Sequence, residues 1–399
     1  MARKNTTLSQ LNTGSTYLEV FYGKLIGKVE KFCSSYPQKK IFMLTIGDTS
    51  KPIPPVAIKA LINSANKLGE AETYTGYEKL PGNLKLREAI CFNYYQKLGV
   101  DFDVSEIFVN DGAQSSSANL QELFAKESII ALQNPTYPFF LEANLLAERN
   151  KFVYLDSQES NNFVSQLPKT KVDLIYLCFP NNPTGAVANK EELKRFVDYA
   201  KNNQAIIIFD AVYSWFINTP NIPHSIYEVE GAKECAIEIN SFSKIASFTG
   251  LRLGWSVIPH SLTIKDTVEG ELNQMWSVRN GIKFWGASNL AQQAGIAVLS
   301  DQGQQECQQN INYYLNNAFL LRQALERKKL TCFGSTDNPY IWLKAPDKMT
   351  SWQFFEQLLH ETGIVGIPGC LFGTNGEGYL RLSTFVKREV IEAVVANLN

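Results

Sequence analysis

The 399-residue sequence predicts an α/β fold, with a large domain built on a mostly parallel sheet and a smaller α+β domain beside it. Three observations lead there. Through the middle of the chain, apolar runs of strand length alternate with amphipathic helical stretches, the pattern of parallel strands joined by right-handed crossovers. Those runs are apolar at nearly every position, as expected of strands buried on both faces. From about Asp301 the alternation gives way to one long helical stretch and then to short strands and helices.

At roughly 100–200 residues per domain, the length allows two or three domains. The pattern divides into 1–50, an N-terminal arm and part of the small domain; 51–300, the large domain; and 301–399, the small C-terminal domain. Met1 to Gly14 is polar, with no apolar segment of the kind a secretory signal needs. Phe21 to Phe32 carries Leu25, Ile26, Val29 and Phe32 at helical spacing. Ile41 to Ile46 reads as a strand ending at Gly47-Asp48, and Lys51-Pro-Ile-Pro-Pro55 as a rigid connector opening a helix. Asp173 to Phe179 is a buried strand. Asn189 then caps a helix with Glu192 at the third position, and Leu193, Phe196, Val197 and Ala200 give that helix one apolar stripe. Ala205–Phe209, Ala236–Ile239 and Trp255–Ile258 are further strands. A helix over Asn310–Lys329 precedes a short strand at Tyr340–Leu343, and Gly378–Ser383 closes the small domain.

Composition narrows the function classes. Apolar residues make up 45% and charged residues 19%, which is ordinary for a folded protein, and the net charge of -1 gives no field for nucleic acid or an anionic membrane. No apolar run is long enough to span a bilayer. The three histidines, His224, His260 and His360, are not at ligand spacing, so no metal site is expected. Seven cysteines with no C-x-x-C pair read as small buried apolar residues in a reducing compartment, and a cytoplasmic enzyme is the expected class.

Ligands of open α/β sheets sit beyond the C-terminal ends of the strands. There the sequence places Pro180-Asn-Asn-Pro-Thr-Gly185, then Asp210 and Tyr213, then Ser241-Phe-Ser-Lys244, with Arg252 shortly after. Taken singly, a turn, a helix cap and a solvated lysine would account for them. Together, an amide, a carboxylate, a phenol, a lysine and an arginine at successive strand ends suit one chemistry. A lysine forms a Schiff base with an aldehyde cofactor, and a carboxylate keeps a pyridinium nitrogen protonated so that the ring draws electrons. A phenol and an amide hold the ring oxygen. Ser241, Ser243 and Arg252 hold a phosphate, helped by the free N–H groups of the helix opening in Asp111-Gly-Ala-Gln-Ser-Ser-Ser117. Tyr137, in Asn134-Pro-Thr-Tyr-Pro138, is placed to stack on the ring.

With these residues the sequence resembles the fold-type I pyridoxal-phosphate aminotransferases of class I/II. Within them it is most similar to the LL-diaminopimelate aminotransferase branch and its plant relatives. The likeness is carried by Ile46-Gly-Asp-Thr49, Asn110-Asp-Gly-Ala113, Phe179-Pro-Asn-Asn-Pro-Thr-Gly185, Ile237-Glu-Ile-Asn-Ser-Phe-Ser-Lys244 and Gly250-Leu-Arg-Leu-Gly-Trp255. The resemblance implies a seven-stranded, mostly parallel sheet binding pyridoxal 5′-phosphate. It implies Lys244 as Schiff-base lysine and acid/base, Asp210 at the pyridinium nitrogen, and Tyr213 and Asn182 at the ring oxygen. Ala113, Gln114, Ser241, Ser243 and Arg252 would hold the phosphate, and Tyr137 would stack on the ring. Arg381 would clamp the substrate α-carboxylate near Gly47, and Tyr17 would line the entrance. Tyr77 would reach the partner subunit's phosphate, implying a homodimer with shared sites. Tyr17 and Tyr137 also fit plain packing roles.

Four positions depart from the branch. Leu80 stands where an acidic residue is usual, Gln114 where lysine is common, and Trp285 where asparagine precedes the glycine. Glu19, two residues after Tyr17, adds a carboxylate that suits a cationic side chain, or else a solvent-exposed arm. A distal charged head group deprived of its partners costs several kcal/mol. The reading is therefore an aminotransferase for an amino acid other than diaminopimelate, with an arginine- or lysine-like donor as the candidate. The alternative is a lyase or cyclase on the same scaffold, eliminating a β or γ group from a hydroxylated, arginine-like amino acid and closing a ring.

Overall fold

The computed structural model describes residues 16–346 and 348–398. The first strand, β1 (Phe42–Met43), is shorter than the expected Ile41–Ile46 segment. It pairs in parallel with the late β11 (Ile364–Val365), which ties the N-terminal segment to the C-terminal one. The main sheet has seven strands: β2 (Ile107–Asn110), β3 (Ile130–Asn134), β4 (Phe152–Asp156), β5 (Leu174–Cys178), β6 (Ile206–Asp210), β7 (Ala236–Ser241) and β8 (Gly254–Val257), in the order β2-β8-β7-β6-β5-β3-β4. The pairings from β4 through β3, β5 and β6 to β7 are parallel. A second sheet of four strands orders β12 (Ile367–Pro368), β13 (Tyr379–Ser383), β10 (Tyr340–Lys344) and β9 (Cys332–Gly334), all antiparallel.

One strand departs from the expected parallel pattern. β8 runs antiparallel to both β7 and β2. The chain leaves β7 through a helix of only four residues, Phe242–Ile245, and the Phe242 N–H already donates to the Leu253 carbonyl at 3.0 Å. With no crossover helix to carry it to the far end of the sheet, the chain must return from the end it left.

Burial explains why the central strands read as continuous apolar runs. Every residue of β3, β5, β6 and β7 is buried. The helix Lys190–Asn203 covers one face with Leu193, Phe196, Val197 and Ala200, and its Asn189–Glu192 capping box forms as the sequence requires. Fully buried, each of Leu193, Phe196 and Val197 stabilises the fold by about 1.5–3 kcal/mol. The helical run over 17–35 packs elsewhere. Its Phe21, Leu25, Val29 and Phe32 join Phe354, Phe355, Leu358 and the strands of the second sheet in one cluster. The expected polar arm, Met1 to Gly14, lies outside the described residues. Among the described residues no helix is long and apolar enough to cross a membrane.

A buried carboxyl group sits in β7. Glu238 has no exposed surface, and it accepts from Tyr95 Oη (2.7 Å), Ser225 Oγ (2.6 Å) and the Ile226 N–H (3.1 Å). Burial raises its pKa from 4.5 to about 7. The folded pKa thus exceeds the unfolded one, so this group's contribution is fully present below pH 4.5 and is lost as pH rises to about 7. Glu238→Gln is expected to match the wild type near pH 4.5 and to unfold at higher urea than the wild type at pH 8, as chemical denaturation at the two pH values would reveal. Equal urea midpoints at pH 8 would show that the carboxylate carries no such penalty.

Candidate active site

The sheet sets the expected strand-end residues on neighbouring strands. Asp210 ends β6, Ser241 ends β7, and Asn182 follows β5; all three are buried. Lys244 lies in the short helix after β7, and its amine donates to the Gly47 carbonyl. Burial lowers that amine's pKa to about 8, with the Asp48 carboxylate opposing the shift and the Arg381 and Arg252 cations adding to it. Burial raises the Asp210 carboxyl to about 7, with the hydrogen bond it accepts from the Val212 N–H at 3.0 Å opposing the shift. A cationic ring nitrogen beside Asp210 would offset that cost.

Arg381 comes from the other sheet, in β13. Its Nη1 donates to Asn182 Oδ1 at 2.7 Å and its Nη2 to the Thr45 carbonyl at 2.5 Å, while Nε is buried and unpartnered among the described residues. The guanidinium lies 4.4 Å from the Tyr340 ring centre and 4.9 Å from that of Phe372. Arg381 and Lys244 therefore both hold the Thr45–Gly47 segment, from opposite sheets.

The anion cradle is also assembled. Ser241 Oγ donates to Ser243 Oγ at 3.0 Å, and Arg252 Nη1 reaches Ser243 Oγ at 3.4 Å. Arg252 is exposed and has φ 62, a left-handed backbone uncommon for a residue with a Cβ, and strain of this kind concentrates at functional sites. Gly112, at φ 120, leads into the helix Ala113–Leu120; a Cβ there would stand 2.8 Å from Arg252 Nη2. The glycine keeps open a concavity between a cation and a helix N-terminus, which suits a phosphate. The donor set fits pyridoxal phosphate: a phosphate cradle, an amine, a buried carboxylate, and a ring platform. Tyr137 would supply the platform; its hydroxyl donates to Gln114 Oε1 at 3.2 Å.

Matching residues 39–398, the family model for aminotransferase class I and II covers nearly all of the chain. This protein belongs to the class I and II aminotransferases. It is a pyridoxal 5′-phosphate-dependent enzyme with the fold-type I architecture. The aminotransferase is 45% identical, over 375 residues, to the LL-diaminopimelate aminotransferase of Agathobacter rectalis, covering 91% of this chain and 92% of that protein. A relative of the same name from Lachnospira eligens is 44% identical, covering 94% of each. The solved LL-diaminopimelate aminotransferase from Chlamydomonas reinhardtii superposes with a TM-score of 0.90 at 33% identity, covering 99% of this chain and 98% of that one. These names lend no support to the expected departure from diaminopimelate, and they favour transamination over elimination and ring closure.

Some sequence-picked residues sit at the margin of the aminotransferase site. Tyr17 packs against Phe139 and Phe372, with ring centres 5.7 and 6.1 Å away, and its N–H donates to the Glu142 carboxylate. Burial raises its hydroxyl pKa, with nearby Arg381 opposing the shift. Glu19 is exposed, its carboxylate accepting from the Thr16 N–H and hydroxyl in a capping box. Tyr77 is 91% exposed, and its ring lies 5.7 Å from that of Trp285, outside its own chain's site. Tyr340, Thr45 and Phe372 were missed by sequence reasoning. Tyr340 lies inside a short apolar strand, and nothing in its spacing separates it from core.

Proposed function

We propose that this aminotransferase moves the α-amino group of an L-amino acid to a 2-oxo acid, with Lys244, Asp210 and Arg381 as the working set. The observation that carries the reading is the meeting of the Lys244 amine and the buried Arg381 guanidinium on one short segment, Thr45–Gly47, with the buried Asp210 carboxylate near enough to Lys244 to act on its charge. Bound pyridoxal phosphate supplies an aldehyde for amines and a ring that takes up the electrons left by a broken Cα–H bond. Arg381 pairs with the substrate α-carboxylate through a planar fork. Lys244 would hold the cofactor through its amine and, as acid/base, would move the proton at Cα. Asp210 would keep a proton on the ring nitrogen, and Tyr213 and Asn182 would bind the ring oxygen. Ala113, Gln114, Ser241, Ser243 and Arg252 anchor the phosphate, and Tyr137 stacks on the ring.

The names of the relatives put LL-diaminopimelate first among donors to test. A second reading, a donor without a charged zwitterionic far end, is favoured by Leu80 and Trp285. Both are exposed, and the 76–80 segment lies against 281–289, with the Asn289 amide donating to the Gly76 carbonyl at 2.8 Å. Exposed Tyr77, Leu80, Ile282 and Trp285 in these two segments, with exposed Val278 one turn before the second, also support a homodimer in which Tyr77 completes the neighbouring site. The cofactor-loaded protein, given single donors (LL-diaminopimelate, arginine, lysine, glutamate, an aromatic amino acid) without an acceptor, is expected to release one 2-oxo acid per site, measured by mass spectrometry. A dehydrated or cyclised product in catalytic amount would overturn transamination in favour of the lyase or cyclase.

A further inference from the structure

Tyr340 sits at the crossing of the groups named above. It is buried in β10, and its hydroxyl lies 2.8 Å from the Tyr213 hydroxyl. Its ring is the platform 4.4 Å beneath the Arg381 guanidinium. Its position is built rather than incidental. The Asn338 side chain accepts from the Tyr340 N–H at 2.9 Å, fixing the start of the strand. On the other side, a Cβ on Gly47 would stand 2.1 Å from the Tyr340 hydroxyl oxygen and 3.5 Å from Lys244 Nζ. Only glycine at 47 admits the phenol to this depth.

We infer that Tyr340 is a positioning residue with two separable actions: its hydroxyl donates to the Tyr213 oxygen, so that Tyr213's own proton is directed at the cofactor ring oxygen, and its ring seats Arg381 for the substrate carboxylate. The direction of the hydrogen bond follows from charge. The cation over the Tyr340 ring draws electron density from its oxygen and makes it the better donor of the pair. A hydroxyl that accepts one hydrogen bond donates a stronger one, so the chain Tyr340 to Tyr213 to ring oxygen polarises in one sense. The inference rests on the aminotransferase reading, because it needs a ring oxygen beside Tyr213.

Three variants separate the two actions: Tyr340→Phe keeps the ring and removes the hydroxyl, Tyr340→Leu removes both, and Tyr213→Phe removes the relay. Tyr340→Phe is expected to lower kcat about 10-fold, the net worth of one buried hydrogen bond, with KM for the amino donor changed less than about 2-fold. The pH midpoint of the bound cofactor's visible absorbance is expected to move up by about one unit. A weakened Tyr213 donor leaves more negative charge on the ring oxygen to retain the neighbouring proton. Tyr213→Phe/Tyr340→Phe is expected to be no worse than Tyr213→Phe alone. Tyr340→Leu adds a rise in KM of about 10-fold as Arg381 loses its seat. An unchanged midpoint and kcat in Tyr340→Phe, or an additive loss in the double variant, would overturn the relay; an unchanged KM in Tyr340→Leu would overturn the seat. Failure of the wild type itself to bind cofactor with a visible band would instead overturn the aminotransferase reading.

Discussion

Lys244→Ala is expected to lose transamination by about 10⁴-fold or more while melting within a few degrees of the wild type. No other amine can stand in. The Lys244 amine is held at the Gly47 carbonyl, and among the described residues the nearby cations are Arg381 and Arg252, whose guanidinium groups stay protonated and form no Schiff base. Burial brings the lysine pKa down to about 8, so the free amine that must attack a carbonyl is already a substantial minority at neutral pH. Lys244→Arg should be as inactive as the alanine variant, since it restores charge but not an attacking nitrogen. Oxo-acid release from the loaded variants, followed over hours, checks this. Activity within 100-fold of the wild type in either variant would mean that another group does the proton transfer.

Arg381→Leu should follow with a loss in kcat/KM of about 10²–10³-fold for amino acids. The guanidinium is buried, tied to Asn182 and the Thr45 carbonyl, and its Nε–H is unpartnered among the described residues. Removing it strips an incoming carboxylate of its charge partner in a desolvated setting. Arg381→Lys would recover little, because an ammonium lacks the planar fork and cannot lie on the Tyr340 and Phe372 rings in the same way. The decisive control is a simple amine without a carboxylate: its slow reaction with the loaded protein should be unaffected by the substitution. An equal loss for amine and amino acid would show that Arg381 supports the fold of the site rather than the substrate.

Much of this was legible in the sequence because the chemistry follows the strands. Asn182, Asp210, Ser241 and Lys244 stand where apolar runs end, and a parallel sheet must bring such ends to one edge. Arg381 had no such signal: it lies within an apolar strand of the second sheet and was named only through resemblance. Tyr340 was hidden for the same reason, since a buried phenol and a buried core tyrosine look alike in sequence. The direction of β8 was hidden too. It depends on the shortness of the Phe242–Ile245 helix, and the apolar pattern of a strand is the same in either sense. Tyr77 could not be judged from one chain, where its ring is almost wholly exposed.

Arg381 lies on the second sheet while Lys244 follows a strand of the first, and this has a geometric consequence. In an amino acid, one carbon separates the carboxylate from the amino nitrogen. In the proposed reading the jaw for the carboxylate is Arg381 of β13, and the jaw for the nitrogen is Lys244, which follows β7. The two sheets act as a caliper whose gauge is that single carbon. Amino acids that carry the extra carbon of a β-amino acid should therefore be measured as too long, whatever their side chain.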